Sequence, residues 1–190
     1  MKEHLRPALT MLLLMTVLTG VVYPLTVTGL AQLFFQEQAN GSVIVREGKV
    51  IGSNLIGQYF DKPEYFWTRP SATTPFPYNA AASGGSNLGP ANPVLIEAVK
   101  ARVIALRAAD PGNDVAIPVD LVTSSGSGLD PHISPAAAFY QLRRVARAQG
   151  IEESVLRDLV AQHTQGRQLG VLGEPRVHVL LLNLALDERR

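Results

Sequence analysis

From Pro7 to Gln36 the chain runs for 30 residues with no ionisable side chain except Tyr23, where a spanning helix needs about 20 apolar residues. No other feature restricts the fold as much, because a segment of this kind belongs in lipid. A helix from Leu9 to Phe35 is roughly 40 Å long at about 1.5 Å per residue, against a hydrocarbon core of about 30 Å, so it must tilt, kink or emerge. Pro24, Gly29 and Gln32 fall in its second half. They are costly against lipid and acceptable against protein, which makes them candidates for contact with a partner. Leu9 to Tyr23 is the stretch best suited to lipid. A cleaved secretory signal is the competing reading, since Lys2 and Arg6 precede the apolar run. Signal cores end after about 7 to 15 residues at a small-residue cleavage site. Here apolar residues continue to Phe35, which favours an uncleaved anchor.

Lys2 and Arg6 lie before the segment and the first basic residue after it is Arg46. The positive-inside bias therefore puts the N-terminus in the cytoplasm and everything beyond the segment outside. The expected organisation is residues 1–36 as cytoplasmic N-terminus and transmembrane anchor in the lipid bilayer, and 37–190 as an extracytoplasmic domain. Charged residues make up only 17% of the chain, against about 25% in soluble domains. Of 17 basic residues Lys2 and Arg6 precede the segment, and of 16 acidic residues Glu3 does, so the outer part balances at 15 of each. Such a domain is no electrostatic trap for cations and carries no nucleic-acid footprint. The absence of cysteine excludes a disulfide framework, a thiol nucleophile and a thiolate metal site, and is silent on compartment.

Beyond the anchor, Ser42 to Gly52 reads as two short β-branched strands turning at Glu47-Gly48. The next stretch lacks periodicity and is rich in proline (Pro63, Pro70, Pro75, Pro77, Pro90, Pro93) and aromatics (Tyr65, Phe66, Trp67, Phe76, Tyr78). Its aromatics argue for a packed loop rather than a disordered one. Asn92-Pro93 and Ser134-Pro135 each pair an N-cap with a proline at the first helical position, predicting helices to about Asp110 and to Gly150. A third helix is expected from Glu152 to His163, and strands at Val115–Val122 and Val177–Leu186, the latter from the alternation of Leu182, Leu184 and Leu186. The fold class expected is an α+β extracytoplasmic domain tethered by one N-terminal transmembrane helix.

Motifs for chemistry are weak. Gly84 to Gly89 has the glycine spacing of a phosphate loop, but Pro90-Ala91 stands where Lys and Ser/Thr are needed. Turn-forming glycines with positive φ are the expected alternative. Ser125 to His132 brings Ser, Asp130 and His132 together without a nucleophile elbow, so turn and cap chemistry fits better than a triad. His163 and His178 are isolated, and no metal site or catalytic residue is assigned. Gln141, Arg143, Arg144 and Arg147 share one predicted helix and read as a solvated or partner-facing surface. Trp67-Thr-Arg69-Pro70 has the composition of an interface anchor or of a loop core, which makes Trp67 and Arg69 partner-contact candidates.

Tyr65–Ser71, Pro77–Asn79, Ser83–Pro90, Asp120–Thr123, Ser125–Pro135, Gln141 with Arg144–Ala146, and Gly173–Val177 with Asn183–Leu186 together resemble the KdpC family, the C subunits of the Kdp potassium-transporting ATPases. The likeness covers nearly the whole chain, with His178 where the family more often has Asn. The resemblance implies a bacterial plasma (inner) membrane complex. Its partners are a channel-like potassium-binding subunit, a P-type ATPase subunit hydrolysing ATP in the cytoplasm and a small single-span subunit. It also implies that ATP, magnesium and potassium are handled by the complex, with this chain a non-catalytic accessory subunit. The family is described as a catalytic chaperone raising ATP affinity of the hydrolysing subunit, with the glutamine matching Gln141 as a nucleotide contact. The positive-inside reading puts Gln141 across the bilayer from that ATP, leaving only coupling through partners. A membrane-anchored extracytoplasmic hydrolase and a ligand-binding module are the alternatives.

Overall fold

The computed structural model describes residues 2–189 and divides into two compact units, Met1–Ile44 and Val45–Arg190. In the first, α1 (Lys2–Val17) passes through a π-helical turn (Leu18–Val22) into α2 (Tyr23–Phe34), followed by the short α3 (Gln36–Ala39). From Glu3 to Phe34 this makes one helix of 32 residues, long and apolar enough to cross a membrane. The π turn lies just before Pro24, whose ring would crowd the carbonyl four residues back and whose nitrogen cannot donate. Widening there lets the Tyr23 N–H reach the Leu18 carbonyl, and the helix runs on. Gln32 and Asn40 exchange amide hydrogen bonds of 3.2 and 3.3 Å, tying α2 to the end of α3.

Strands β1 (Val43–Arg46) and β2 (Lys49–Ser53) form the expected hairpin. Glu47 and Gly48 have φ of 52° and 75°, the left-handed pair that a tight two-residue hairpin turn demands. Residues 54–92 follow without regular structure apart from a 3-10 turn at Ala80–Ala82. Helix α4 (Pro93–Ala109) starts where expected, with the Asn92 side chain accepting from the Val94 N–H at 2.9 Å. After β3 (His132–Ile133), α5 (Pro135–Gln149) begins at Ser134, whose Oγ accepts from the Ala137 N–H at 3.0 Å, and ends at Gly150 in the left-handed conformation. Helix α6 (Glu153–Gln162), β4 (Thr164–Gln165), β5 (Arg176–His178) and α7 (Val179–Asp187) complete the chain. The sheet has the antiparallel order β3-β5-β4, with Val177 opposite both Ile133 and Thr164.

The core of the second unit is built around α5. Ala137, Ala138, Leu142, Val145 and Ala146 pack with Leu156, Leu159 and Val160 of α6, Val177 of β5, and Val179, Leu182 and Leu186 of α7. Phe66 from the irregular segment is fully buried in the same cluster. Truncating a side chain of that size in a core costs about 3–5 kcal/mol.

Two expected strands are corrected. Val177–Leu186 is a strand only through His178 and then a helix, because Val179, Leu182, Asn183 and Leu186 sit at i, i+3, i+4 and i+7 and are all buried. The alternating leucines misled because Leu184 is only half-buried. Val115–Val122 is not a strand: Val115 and Val119 face solvent and Val119–Leu121 is a 3-10 turn. That turn aims Asp120 at the start of α5, where its carboxylate accepts from the Ser134 N–H at 2.7 Å and hydroxyl at 3.1 Å.

Candidate functional site

The irregular segment after β2 is held on α5 by two polar side chains. Gln141 is 1% exposed and Arg144 4%. The Gln141 Oε1 accepts from the Trp67 N–H at 2.7 Å and from Arg144 Nη2 at 2.6 Å, while its Nε2 donates to the carbonyls of Trp67 (3.1 Å) and Ala137 (3.2 Å). Two acceptances and two donations fill the hydrogen-bonding capacity of a carboxamide. Arg144 Nη1 donates to the carbonyls of Pro63 at 2.6 Å and Tyr65 at 2.9 Å, and the guanidinium lies 4.3 Å from the centre of the Trp67 ring. Burial lowers the Arg144 pKa to about 10 against the opposing pull of Asp110, so the group stays charged at neutral pH. From the other side Asn183 of α7 accepts from the Phe66 N–H at 2.9 Å and donates to its carbonyl at 3.0 Å.

The expectation of one solvated or partner-facing surface on α5 is therefore corrected. At about 100° per residue, positions three apart share a face and those two apart do not. Gln141 and Arg144 point inward, whereas Arg143 and Arg147 point to the buried Asp110, at 2.9 and 3.7 Å.

A second cluster joins the segment to the 124–132 loop. Arg69 Nη1 pairs with Asp130 Oδ2 at 3.1 Å, and Asp130 Oδ1 accepts from the His132 N–H at 3.0 Å and faces its Nδ1 at 3.2 Å. Burial alone would raise the Asp130 carboxyl, but the His132 side-chain and backbone hydrogen bonds, with the charges of His132 and Arg69, outweigh it and hold the pKa below the usual value. Tyr78 donates to the Arg69 carbonyl at 2.5 Å, and burial pushes its phenol up to about 12. His132 meets His178 edge-to-face at 5.2 Å. The His178 Nδ1 accepts from the Leu181 N–H at 3.3 Å, capping α7, and its Nε2 lies 3.0 Å from the Asn54 carbonyl. Burial moves the His178 pKa below that of a free imidazole. A cleft of about 590 Å³ opens here, with Arg69, Asp130, His132, Glu174 and Arg176 among its walls.

The serines of this region serve the backbone: Ser125 Oγ accepts from the Gly128 N–H at 2.9 Å and Ser127 Oγ from the Leu129 N–H at 3.1 Å. The Gly84–Gly89 loop departs from expectation, since none of its glycines has a positive φ and the left-handed residue is Asn87 at 52°. Gly85 is required for another reason: a Cβ there would stand 2.9 Å from the Gly126 carbonyl oxygen.

Trp67 and Arg69 thus belong to the two clusters that fasten the irregular segment, with side chains half-buried and bonded within the second unit. Pro24, Gly29 and Gln32 lie exposed on the helix of the first unit. Three anchoring residues, Asp110, Asp120 and Asn183, are not marked as anchors by the sequence, although Asp120 and Asn183 each open a string shared with the family. Asn183 also stands out as a lone amide in an apolar run.

A family model described as KdpC, K+-transporting ATPase, c chain, matches residues 5–188. A potassium-transporting ATPase KdpC subunit of Polaromonas naphthalenivorans (strain CJ2) is 66% identical, covering 98% of this chain and 95% of its own length. Subunits of the same name from Sorangium cellulosum (strain So ce56) and Methylococcus capsulatus (strain ATCC 33009 / NCIMB 11132 / Bath) are each 64% identical over the full length of both chains. A match of this extent, through both the apolar helix and the clamped domain, makes the chain a member of the KdpC family, the c chain of K+-transporting ATPases.

Proposed function

We propose that this chain is a non-catalytic accessory subunit that assembles or stabilises the potassium-translocating and ATP-hydrolysing subunits of its complex, with residues 37–190 outside the plasma membrane. The Lys2 and Arg6 bias supports that orientation. The partners in this reading are the channel-like, P-type and small single-span subunits of a potassium uptake ATPase. The observation that carries it is the filled hydrogen-bonding capacity of Gln141. A carboxamide committed to Trp67, Ala137 and Arg144 has no donor or acceptor left for a nucleotide, so its role is to hold the irregular segment in shape. Any rise in ATP affinity of the hydrolysing subunit then passes through contacts between subunits.

Gln141→Ala in the complete complex tests this. Loss of the amide leaves the part-buried Trp67 backbone groups unpaired, at a cost of about 1 kcal/mol for each such group. We expect less complex to be recovered and the chain to melt earlier, while complexes that do assemble keep their KM for ATP within about twofold. A KM raised tenfold or more with normal assembly and melting would establish direct nucleotide contact instead.

A further inference from the structure

The hairpin between β4 and β5 carries an apolar tip that the core does not use. Gln168 and Leu172 exchange both backbone hydrogen bonds, at 2.8 and 2.9 Å, and Gly170 and Val171 donate back to the carbonyls of Arg167 and Gln168. Leu169 and Gly170 take φ of 52° and 76° to make the turn. Below the tip, Arg167 Nη2 bonds both oxygens of Glu174 at 2.8 Å, and Arg176 Nε bonds Gln165 Oε1 at 3.1 Å. On this braced stem Leu169, Val171 and Leu172 are 90%, 72% and 56% exposed. Exposed aliphatic side chains grouped on an ordered turn mark an interaction surface.

We propose that this tip is a docking knob that seats in an apolar pocket on another subunit of the same ATPase. Membership of the KdpC family, whose members are chains of a multisubunit ATPase, supplies the kind of partner. The inference rests on that membership and on neither the orientation nor the accessory role proposed above. The chemistry favours a protein pocket over lipid: the tip has no Trp or Tyr, and the Arg167 beneath it is neutralised by Glu174. Interfacial insertion instead favours aromatic rings and unpaired basic residues. Apolar side chains set above a closed ion pair can enter a protein pocket without stranding a charge there. A turn already fixed by its own hydrogen bonds loses little entropy on docking.

The chain has no cysteine, so Leu169→Cys gives a single thiol in it. Its maleimide modification rate is measured in the intact chain alone, in phosphatidylethanolamine/phosphatidylglycerol nanodiscs, and in the complete complex in the same nanodiscs. We expect at least tenfold slower modification in the complex and fast modification in the chain alone. A second arm uses Leu169→Asp, expected to reduce recovery of the chain on an affinity-tagged partner subunit at least tenfold while the intact chain melts within about 2 °C of wild type. Equal rates in the two states, or recovery of Leu169→Asp at the wild-type level, overturn the proposal. Slow modification already in the chain alone makes lipid the occupant and overturns it as well. If Leu169→Asp unfolds the chain, the labelling comparison decides alone.

Discussion

Arg144 is a cation buried among carbonyls, an amide and an indole face. Its grip depends on the planar fork, which reaches Pro63 and Tyr65 from one nitrogen, Gln141 from another, and stacks on Trp67. A lysine keeps the charge but has neither the fork nor the stacking plane. Arg144→Lys should therefore cost about 2 kcal/mol, or roughly 4–8 °C in the melting temperature of a chain this size, read by thermal unfolding of the intact protein. A change below about 1 °C would mean that charge alone holds the segment. His178 makes a different prediction. Its pKa is lowered on folding, chiefly by burial and with a contribution from His132, so the native state binds fewer protons than the unfolded one just below the free imidazole value. Stability is then full above about pH 6.5 and falls as pH drops through the folded pKa. The charges facing the ring are His132 and Asp130. The depressed Asp130 carboxyl acts in a separate, more acidic window, its contribution present above the ordinary carboxylate pKa and lost below it. His178→Asn, which keeps a capping side chain, should flatten the loss of stability as pH falls below about 6.5, followed by denaturant unfolding at each pH. An unchanged slope would place the titration elsewhere.

At the scale of elements, the sequence was legible where local chemistry decides the backbone. Asn92-Pro93, Ser134-Pro135 and Gly150 bound α4 and α5 where their capping and left-handed preferences predict, and Glu47-Gly48 turns the hairpin. It was illegible where tertiary partners decide. The two-residue strands β3 and β4 exist only because both border β5, and no pattern of two residues announces that. α7 carries a strand-like alternation because its buried stripe includes Asn183, a polar residue that stands inside only by pairing with the Phe66 backbone. The same limit explains Gln141 and Arg144, which look like surface polar residues until Trp67 is brought to them. The glycine loop gives the test at this scale. Gly85 is needed for close approach to the Gly126 carbonyl, whereas a Cβ on Gly84 or Gly89 would meet nothing within 4 Å. Gly85→Ala should destabilise the intact chain by about 1–3 kcal/mol through overpacking against backbone, and Gly84→Ala and Gly89→Ala should be nearly neutral by the same unfolding measurement. Equal effects at all three would reduce the loop to generic flexibility.

For the whole molecule, the orientation proposed above rests on the charges at the ends of the apolar helix. Two basic residues, Lys2 and Arg6, precede the segment, and beyond it the nearest cation is Arg46, past α3. The K/R bias near the ends of a span is what orients it, and acidic residues such as Glu37 count for little. We therefore expect cysteines placed at the solvent-facing Ser154 and Val115 to react with a membrane-impermeant reagent in intact cells. Labelling only after lysis would reverse the orientation and put residues 45–190 in the compartment that holds ATP. The orientation also bears on Pro24, Gly29 and Gln32, our candidates for helix contact with a partner subunit. With the N-terminus inside, these three fall in the outer half of the span. Gln32 already pairs its amide with Asn40 just beyond the helix, which offsets its cost near the outer surface. Pro24, near the middle, brings no N–H to the helix ladder, so it is the residue of the three for which a neighbouring helix has most to offer.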